Sequence, residues 1–163
     1  MYIMKRLISA IAVIASVAAV FACNKNEGKE EAPAGMALAQ EVAGTYSGTF
    51  TMSVMGSPAG SENLDCTVSA ATDNTVDIVL DQFTAMGTMQ FSLSAEGVSV
   101  ADADGGYSLT GSIDTMSGET HITGSVSGTV GKDGSAEITF EFTPGAMPMS
   151  ITGVFSSPAR NNE

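Results

Sequence analysis

The strongest constraint on this sequence is an alternation of apolar and polar residues that recurs in eight segments between residues 41 and 157. In the first segment, Phe50, Met52 and Val54 are apolar, whereas Thr51 and Ser53 between them are polar. Successive side chains of a strand point to opposite faces, so each segment predicts a half-buried antiparallel β-strand. The segments are residues 50–54, 64–70, 76–80, 89–93 with a continuation to 100, 107–113, 122–130, 136–142 and 147–155.

Residues typical of tight turns separate these segments. They are Asp73-Asn74, Asp104-Gly105-Gly106, Ser117-Gly118, Asp133-Gly134 and Pro144-Gly145. Short connections favour a meander, and closing eight strands into a barrel removes the exposed edges. We therefore predict an all-β fold, an eight-stranded antiparallel up-and-down β-barrel, with a two-sheet β-sandwich as the alternative. No segment after Ala22 shows the apolar stripe of a helix, so we expect one domain over residues 41–157 and a polar tail over 158–163.

Residues 1–22 have the organisation of a signal peptide. Lys5 and Arg6 precede an apolar run over residues 7–22, which is shorter than the roughly 18 or more apolar residues of a membrane-spanning helix. The run ends in Val20-Phe21-Ala22-Cys23, which resembles the lipobox of bacterial lipoproteins. This resemblance implies cleavage before Cys23 and lipidation of its thiol and new amino group. The alternative is an ordinary secretory signal followed by an incidental cysteine.

Residues 23–40 are polar, rich in small residues and without apolar periodicity, which predicts a flexible tether. The cluster Lys29-Glu30-Glu31 resembles acidic export signals of some Gram-negative lipoproteins. We expect an outer membrane lipoprotein, on either the periplasmic or the surface-exposed face. The sequence holds 18 acidic and 6 basic residues, which argues against binding to nucleic acid or to an anionic membrane surface. The expected membrane contact is the lipid anchor, and the expected domain is monomeric.

Several stretches resemble the bacterial calycin-like (lipocalin-like) β-barrel lipoproteins. They are Gly44-Thr45-Tyr46-Ser47-Gly48-Thr49-Phe50, Asp73-Asn74-Thr75-Val76 with the following Leu80-x-x-Phe83, Gly106-Tyr107-Ser108-Leu109-x-Gly111, and Val126-Ser127-Gly128-Thr129-Val130 before Ile138-Thr139-Phe140. The resemblance covers most of residues 41–157. It implies an eight-stranded barrel on a lipid anchor, in a family whose physiological ligand is generally unassigned.

The sequence differs from that of the true lipocalins in one feature. Those proteins carry Gly-x-Trp on the first strand and a late arginine that packs over the tryptophan. This chain has Gly44-x-Tyr46 and no tryptophan, and Arg160 lies after the last predicted strand. The departure weakens any inference of small-ligand transport from the lipocalins.

Candidate catalytic residues are few. His121 is the only histidine and falls on the polar side of its segment, without a serine or cysteine at motif spacing. Cys66 falls on an apolar face, where it is expected to act as a small hydrophobic residue. The stretch Asp102-Ala103-Asp104-Gly105-Gly106 lacks the later ligands of a calcium loop and favours a hairpin. We expect no catalytic site, metal or cofactor; a hydrolase using surface carboxylates is a distant alternative.

Methionines and inward-facing glycines are the least usual features of the strands. Methionine suits both adaptable binding surfaces and irregular cores, and missing side chains at Gly111, Gly124, Gly128 and Gly153 leave either a cavity or tight bends. The leading hypothesis is non-catalytic binding of a small apolar or amphipathic ligand in the barrel or at its mouth. The alternative is a structural or protein-interaction module with a filled barrel. The candidate lining residues are Phe50, Met52, Leu80, Met89, Phe91, Ile113, Val126, Phe140, Met149 and Phe155.

Overall fold

The computed structural model describes residues 34–71, 74–145, 147 and 149–160. The predicted signal peptide over residues 1–22, Cys23 and most of the expected tether lie outside the described residues, as does the end of the predicted polar tail. The elements are α1 (Ala34–Val42), β1 (Gly44–Val54), β2 (Ser57–Ala70), β3 (Thr75–Ala85), β4 (Met89–Ala103), β5 (Gly106–Ser117), β6 (Thr120–Gly131), β7 (Ala136–Pro144) and β8 (Ile151–Ser157).

The strands form a closed barrel in sequence order. Each strand pairs antiparallel with the next, and β8 pairs with β1 to close the ring, with Phe50 opposite Phe155. The predicted eight-stranded up-and-down barrel is thereby confirmed, and the alternative of two separate sheets is wrong. Closure provides hydrogen-bonding partners for both edges of the sheet, as the alternating sequence requires.

The expectation that no helix follows Ala22 is wrong, because the last part of the segment predicted to be a tether forms α1. Ala39 and Val42 lie three residues apart on one face of this helix and are fully buried, and Leu38 packs against the same core. A helix of nine residues is marginal by itself and depends on tertiary packing. Its apolar stripe is too short to stand out in the sequence.

The last strand is also shorter than predicted. The alternation suggests a strand from residue 147, but β8 begins at Ile151, so Met147 and Met149 lie in the connection after β7. Gly145 turns the chain with a φ of 56°, and Pro148 in the sequence has no amide hydrogen to donate to a ladder. Alternation of residue types therefore continues beyond the part of the chain that can pair.

The meander gives the barrel two different ends. The α1 end holds α1, the start of β1, the residues after β8 and the connections β2–β3, β4–β5 and β6–β7. The methionine end holds the connections β1–β2, β3–β4, β5–β6 and β7–β8.

In the part of the chain that the structure describes, no helix has the length and apolarity needed to cross a membrane.

Candidate functional site

The interior of the barrel contains most of the residues predicted to line a ligand site. Eight of the ten have relative exposures of 0–3 %. These eight are Phe50, Met52, Leu80, Phe91, Ile113, Val126, Phe140 and Phe155. Met89 and Met149 are half-buried, and both lie at the methionine end. The structure thus brings eight of the residues into one core; their contact with a ligand stays a prediction.

Aromatic rings occupy the middle of this core. The ring of Phe83 lies with its centroid 4.9 Å from that of Phe50, 6.2 Å from that of Phe91 and 6.1 Å from that of Phe142. The centroids of Phe50 and Phe140 are 6.0 Å apart. We call these five residues the phenylalanine cluster. Tilted and edge-on rings at such distances are stabilising contacts within the core.

Two members of the cluster, Phe83 and Phe142, are absent from the predicted lining residues. The register between β3 and β4 shifts between Leu80 and Phe83, and Asp81 and Gln82 are both exposed. This bulge returns Phe83 to the interior three residues after Leu80, which a strict period of two does not predict. Phe142 lies on the predicted apolar face of its strand and could have been included from the sequence.

The inward glycines permit close contacts rather than leave space. A Cβ atom at Gly153 would collide with the ring of Phe50. The Cε1 atom of the same ring would lie 3.2 Å from the added Cβ. At Gly124 and Gly128, a Cβ would lie 2.7 Å from the Cα of Phe142 and 2.8 Å from the Cα of Ile138, on the neighbouring strand. These close contacts argue against the cavity that the sequence analysis offered at these positions, and the tight bends it offered as the alternative stay a prediction.

A second group of contacts holds the α1 end together. The Tyr46 hydroxyl donates a hydrogen bond of 2.7 Å to the carbonyl of Val42, which joins β1 to α1. The Arg160 guanidinium lies over the Tyr46 ring, with Cζ 4.5 Å from the centroid, and donates to the Thr45 carbonyl at 3.3 Å. Burial raises the pKa of Tyr46, and the nearby Arg160 charge partly opposes this.

This arrangement corrects the inference drawn from Arg160. Its position after the last strand suggested a departure from the lipocalin pattern, yet the chain turns back so that the Arg160 amide donates to the Asp133 carbonyl at 3.0 Å. The arginine therefore reaches the first-strand aromatic residue, which here is tyrosine in place of tryptophan. Packing of Arg160 over this ring belongs to the contacts of the α1 end and does not by itself define a ligand.

The residues considered for catalysis lie apart from one another. His121 and Asp114 form an exposed pair, with 2.7 Å between Nε2 and Oδ1, on the outer surface of β5 and β6. Cys66 is buried, and burial raises the pKa of its thiol to about 12, with a smaller contribution from Asp81. A thiol that stays protonated at neutral pH is a poor nucleophile. Among the described residues, no three histidine, cysteine, aspartate or glutamate side chains come together as a candidate metal site.

The methionine end presents the largest apolar side chains on the surface. Met55 is 77 % exposed, Met116 57 % and Met86 39 %; among the described residues, the one other large exposed hydrophobic side chain is Val79. All seven methionines after residue 44 belong to this end: Met52, Met55, Met86, Met89, Met116, Met147 and Met149. Met55, Met86 and Met116 lie near the ends of alternating segments or near turn residues in the sequence, but only the topology shows that these positions share one end.

A closed eight-stranded meander, with a short helix at one end and an arginine over a first-strand aromatic residue, defines a barrel of the calycin class. The sequence pattern of the calycin-like β-barrel domain family matches residues 42–157, and the chain belongs to this family. The match begins at the end of α1 and includes every strand of the barrel.

A solved structure from Bacteroides fragilis NCTC 9343, described as that of a candidate outer membrane protein, is similar to this chain. The two share 28 % sequence identity with a TM-score of 0.66, over 75 % of this chain and 52 % of the other. The similar region thus spans about half of that protein. No curated protein matches the chain at a significant level.

Proposed function

We propose that this protein is a non-catalytic outer membrane lipoprotein, anchored through Cys23, whose calycin-like barrel has a filled interior and acts as a protein-interaction module. The observation that carries the choice of a filled barrel is the phenylalanine cluster. Side chains that border a void large enough for a ligand expose surface to it, but these five are at most 3 % exposed. An eight-stranded barrel has room for either a packed core or one small ligand.

Membrane anchoring is supported by the stretch Val20-Phe21-Ala22-Cys23 and by the description of the similar Bacteroides fragilis protein. Lipidation with more than one acyl chain gives stable anchoring, since each buried methylene contributes about 0.8 kcal/mol. Membrane fractionation after labelling with a radioactive fatty acid tests this step. The wild-type chain should carry the label and sediment with membranes, whereas Cys23→Ala should remain an unlabelled precursor. An unlabelled wild-type protein in the soluble periplasmic fraction would show that the segment is an ordinary secretory signal.

The filled interior is tested by native mass spectrometry and by titration with a hydrophobic dye and a fatty acid. We expect the wild-type barrel to carry no lipid and to take up neither probe. Phe83→Ala provides the positive control, because removing a central ring creates an apolar cavity that can accept a small hydrocarbon such as benzene. Phe83→Leu keeps most of the volume and should bind less benzene. Fatty-acid uptake that persists in Met89→Ala and Met149→Ala, at the methionine end, would overturn the filled interior.

A second candidate function is binding of a small apolar or amphipathic ligand at the methionine end. It is favoured by the half-buried Met89 and Met149, which differ in this respect from the other eight candidate lining residues. The same titrations distinguish it from the first. Fatty-acid binding that is lost in Met89→Ala and Met149→Ala, but kept in the control Val79→Thr, would establish a ligand site at the mouth.

Absence of catalysis is part of the proposal. It is supported by the protonated, buried thiol of Cys66 and by the exposed position of the His121–Asp114 pair. Assays against generic ester, glycoside and phosphate substrates test it. Turnover that is abolished by Asp114→Asn would show a hydrolase using surface carboxylates.

A further inference from the structure

The hairpin tips of the methionine end have an unusual backbone conformation. Met55 and Met86 have φ angles of 49° and 53°, and the glycine that follows each has a φ of 81°. In a two-residue hairpin loop such as Met55-Gly56, consecutive positive φ angles give the turn that suits the twist of the strands, and asparagine or aspartate is the usual first residue. The β3–β4 loop has the same pair of positive φ angles and one further residue, Thr88. Methionine is disfavoured there, because its Cβ approaches the backbone in the left-handed region.

Methionine occupies this disfavoured position in two turns of the methionine end, and its apolar side chain is exposed in both. Met55 and Met86 are exposed, so packing in the core does not explain why methionine stands at either position. Residues kept in strained conformations often serve function rather than stability. Met116 lies close to the next tip, opposite His121 in the β5–β6 ladder, and is also exposed.

Carboxylates outnumber basic groups at this end, where the described residues supply one basic side chain, that of His121, paired with Asp114. Glu119 lies in the exposed β5–β6 turn, and Asp114 lies two residues before Met116. The Glu62 carboxylate accepts hydrogen bonds from the Thr84 amide at 3.2 and 3.3 Å, beside the β3–β4 tip. The only lysine and arginine among the described residues, Lys132 and Arg160, belong to the α1 end.

We propose that the methionine end docks a basic amphipathic segment of a partner polypeptide. This proposal rests on the proposed function and specifies the surface and the partner for it. Flexible, polarizable methionines adapt to apolar side chains of different shapes, and the acidic groups beside them attract lysine and arginine.

The test uses the purified full chain in phosphatidylcholine nanodiscs and a fluorescent helical peptide of leucine and lysine. A peptide with glutamate in place of lysine has the same apolar face and the opposite charge. We expect the lysine peptide to bind at least about tenfold more tightly than the glutamate peptide. Equal binding of the two peptides would contradict the proposed basic partner.

The matched variant replaces three side chains: Met55→Asn, Met86→Asn and Met116→Asn. Asparagine tolerates the positive φ at the first two sites, so circular dichroism and thermal unfolding should show an intact barrel. Binding of the lysine peptide should weaken at least about tenfold, while the control Val79→Thr, at an exposed apolar site within β3, should bind as the wild type does. Unchanged binding in the triple variant would overturn the proposal.

A bilayer is the competing class of partner. Empty phosphatidylcholine nanodiscs measure how much lysine peptide binds to lipid alone; if they bind it as tightly as nanodiscs that hold the wild-type protein, the peptide recognises lipid and the proposed polypeptide partner is wrong. Failure of the filled interior would be recognised separately, because it would appear as fatty-acid uptake that persists in Met89→Ala and Met149→Ala, whatever the peptide does.

Discussion

The two ends of this barrel are formed by the same strands but differ in how their side chains are covered. At the α1 end, a helix packs over the core, a buried tyrosine hydroxyl reaches the Val42 carbonyl, and Arg160 closes over the tyrosine ring. At the methionine end, tight turns expose Met55 and Met86 in conformations that cost stability. The contrast indicates that the α1 end stabilises the fold, whereas the methionine end leaves apolar side chains exposed.

The largest expected effect comes from breaking the α1 end. Ala39→Asp would place a carboxylate at a fully buried position without a partner, which typically costs about 3–5 kcal/mol. The free energy of unfolding, measured in urea, should fall by that amount. Hydrophobic dye binding should rise as α1 leaves the barrel.

Gln40→Asp is the matched control, because Gln40 is exposed on the same helix. Its unfolding free energy should stay within about 0.5 kcal/mol of the wild type. If both variants lose the same stability, packing of the buried helix face is not what holds the α1 end.

A pH-dependent effect should follow from Cys66. Its thiol pKa rises from 9.0 to about 12 on folding, so between these values the unfolded chain releases a proton that the folded barrel keeps. This contribution to stability is fully present below pH 9 and is lost as the pH rises towards 12. Near pH 10.5 the loss should be about 2 kcal/mol.

Urea unfolding of the wild type and Cys66→Ala at pH 8 and pH 10.5 checks this. The wild type should lose more stability than the variant over the interval, although the raised pKa of Tyr46 acts in the same direction in both proteins. Equal losses would mean that the thiol ionises as easily in the barrel as in the unfolded chain.

A smaller effect is expected from Tyr46→Phe. The change keeps the ring under Arg160 but removes the donor to the Val42 carbonyl, leaving a buried acceptor without this partner. Loss of such a hydrogen bond costs about 1 kcal/mol. Thermal unfolding should register it, and Tyr46→Leu, which also removes the ring, should cost more. An unchanged unfolding temperature in Tyr46→Phe would show that the hydrogen bond does not stabilise the α1 end.

The sequence predicts the barrel well because alternation and turn residues are local signals. It predicts the ends poorly, because these depend on contacts between distant positions. Arg160 and Tyr46 are far apart in the chain, and nothing near either residue indicates that they stack. Phe83 does not follow the alternation, because a bulge precedes it. The helix α1 is too short for its apolar face to be recognised in the sequence.

The smallest expected effect is a gain, and it concerns the turns of the methionine end. A residue with a Cβ loses roughly 1–2 kcal/mol in the left-handed region, and asparagine recovers part of this through local hydrogen bonding. Met55→Asn and Met86→Asn should therefore each raise the free energy of unfolding by about 0.5–1 kcal/mol. Because the two turns lie on separate hairpins, the gains should add in the double variant.

Met116→Asn is the control, since Met116 lies in β5 and is not among the positive-φ residues; the stability of this variant should not rise. A loss of stability in both turn variants would mean that Met55 and Met86 support the fold, and the two ends would then differ less than their exposure suggests.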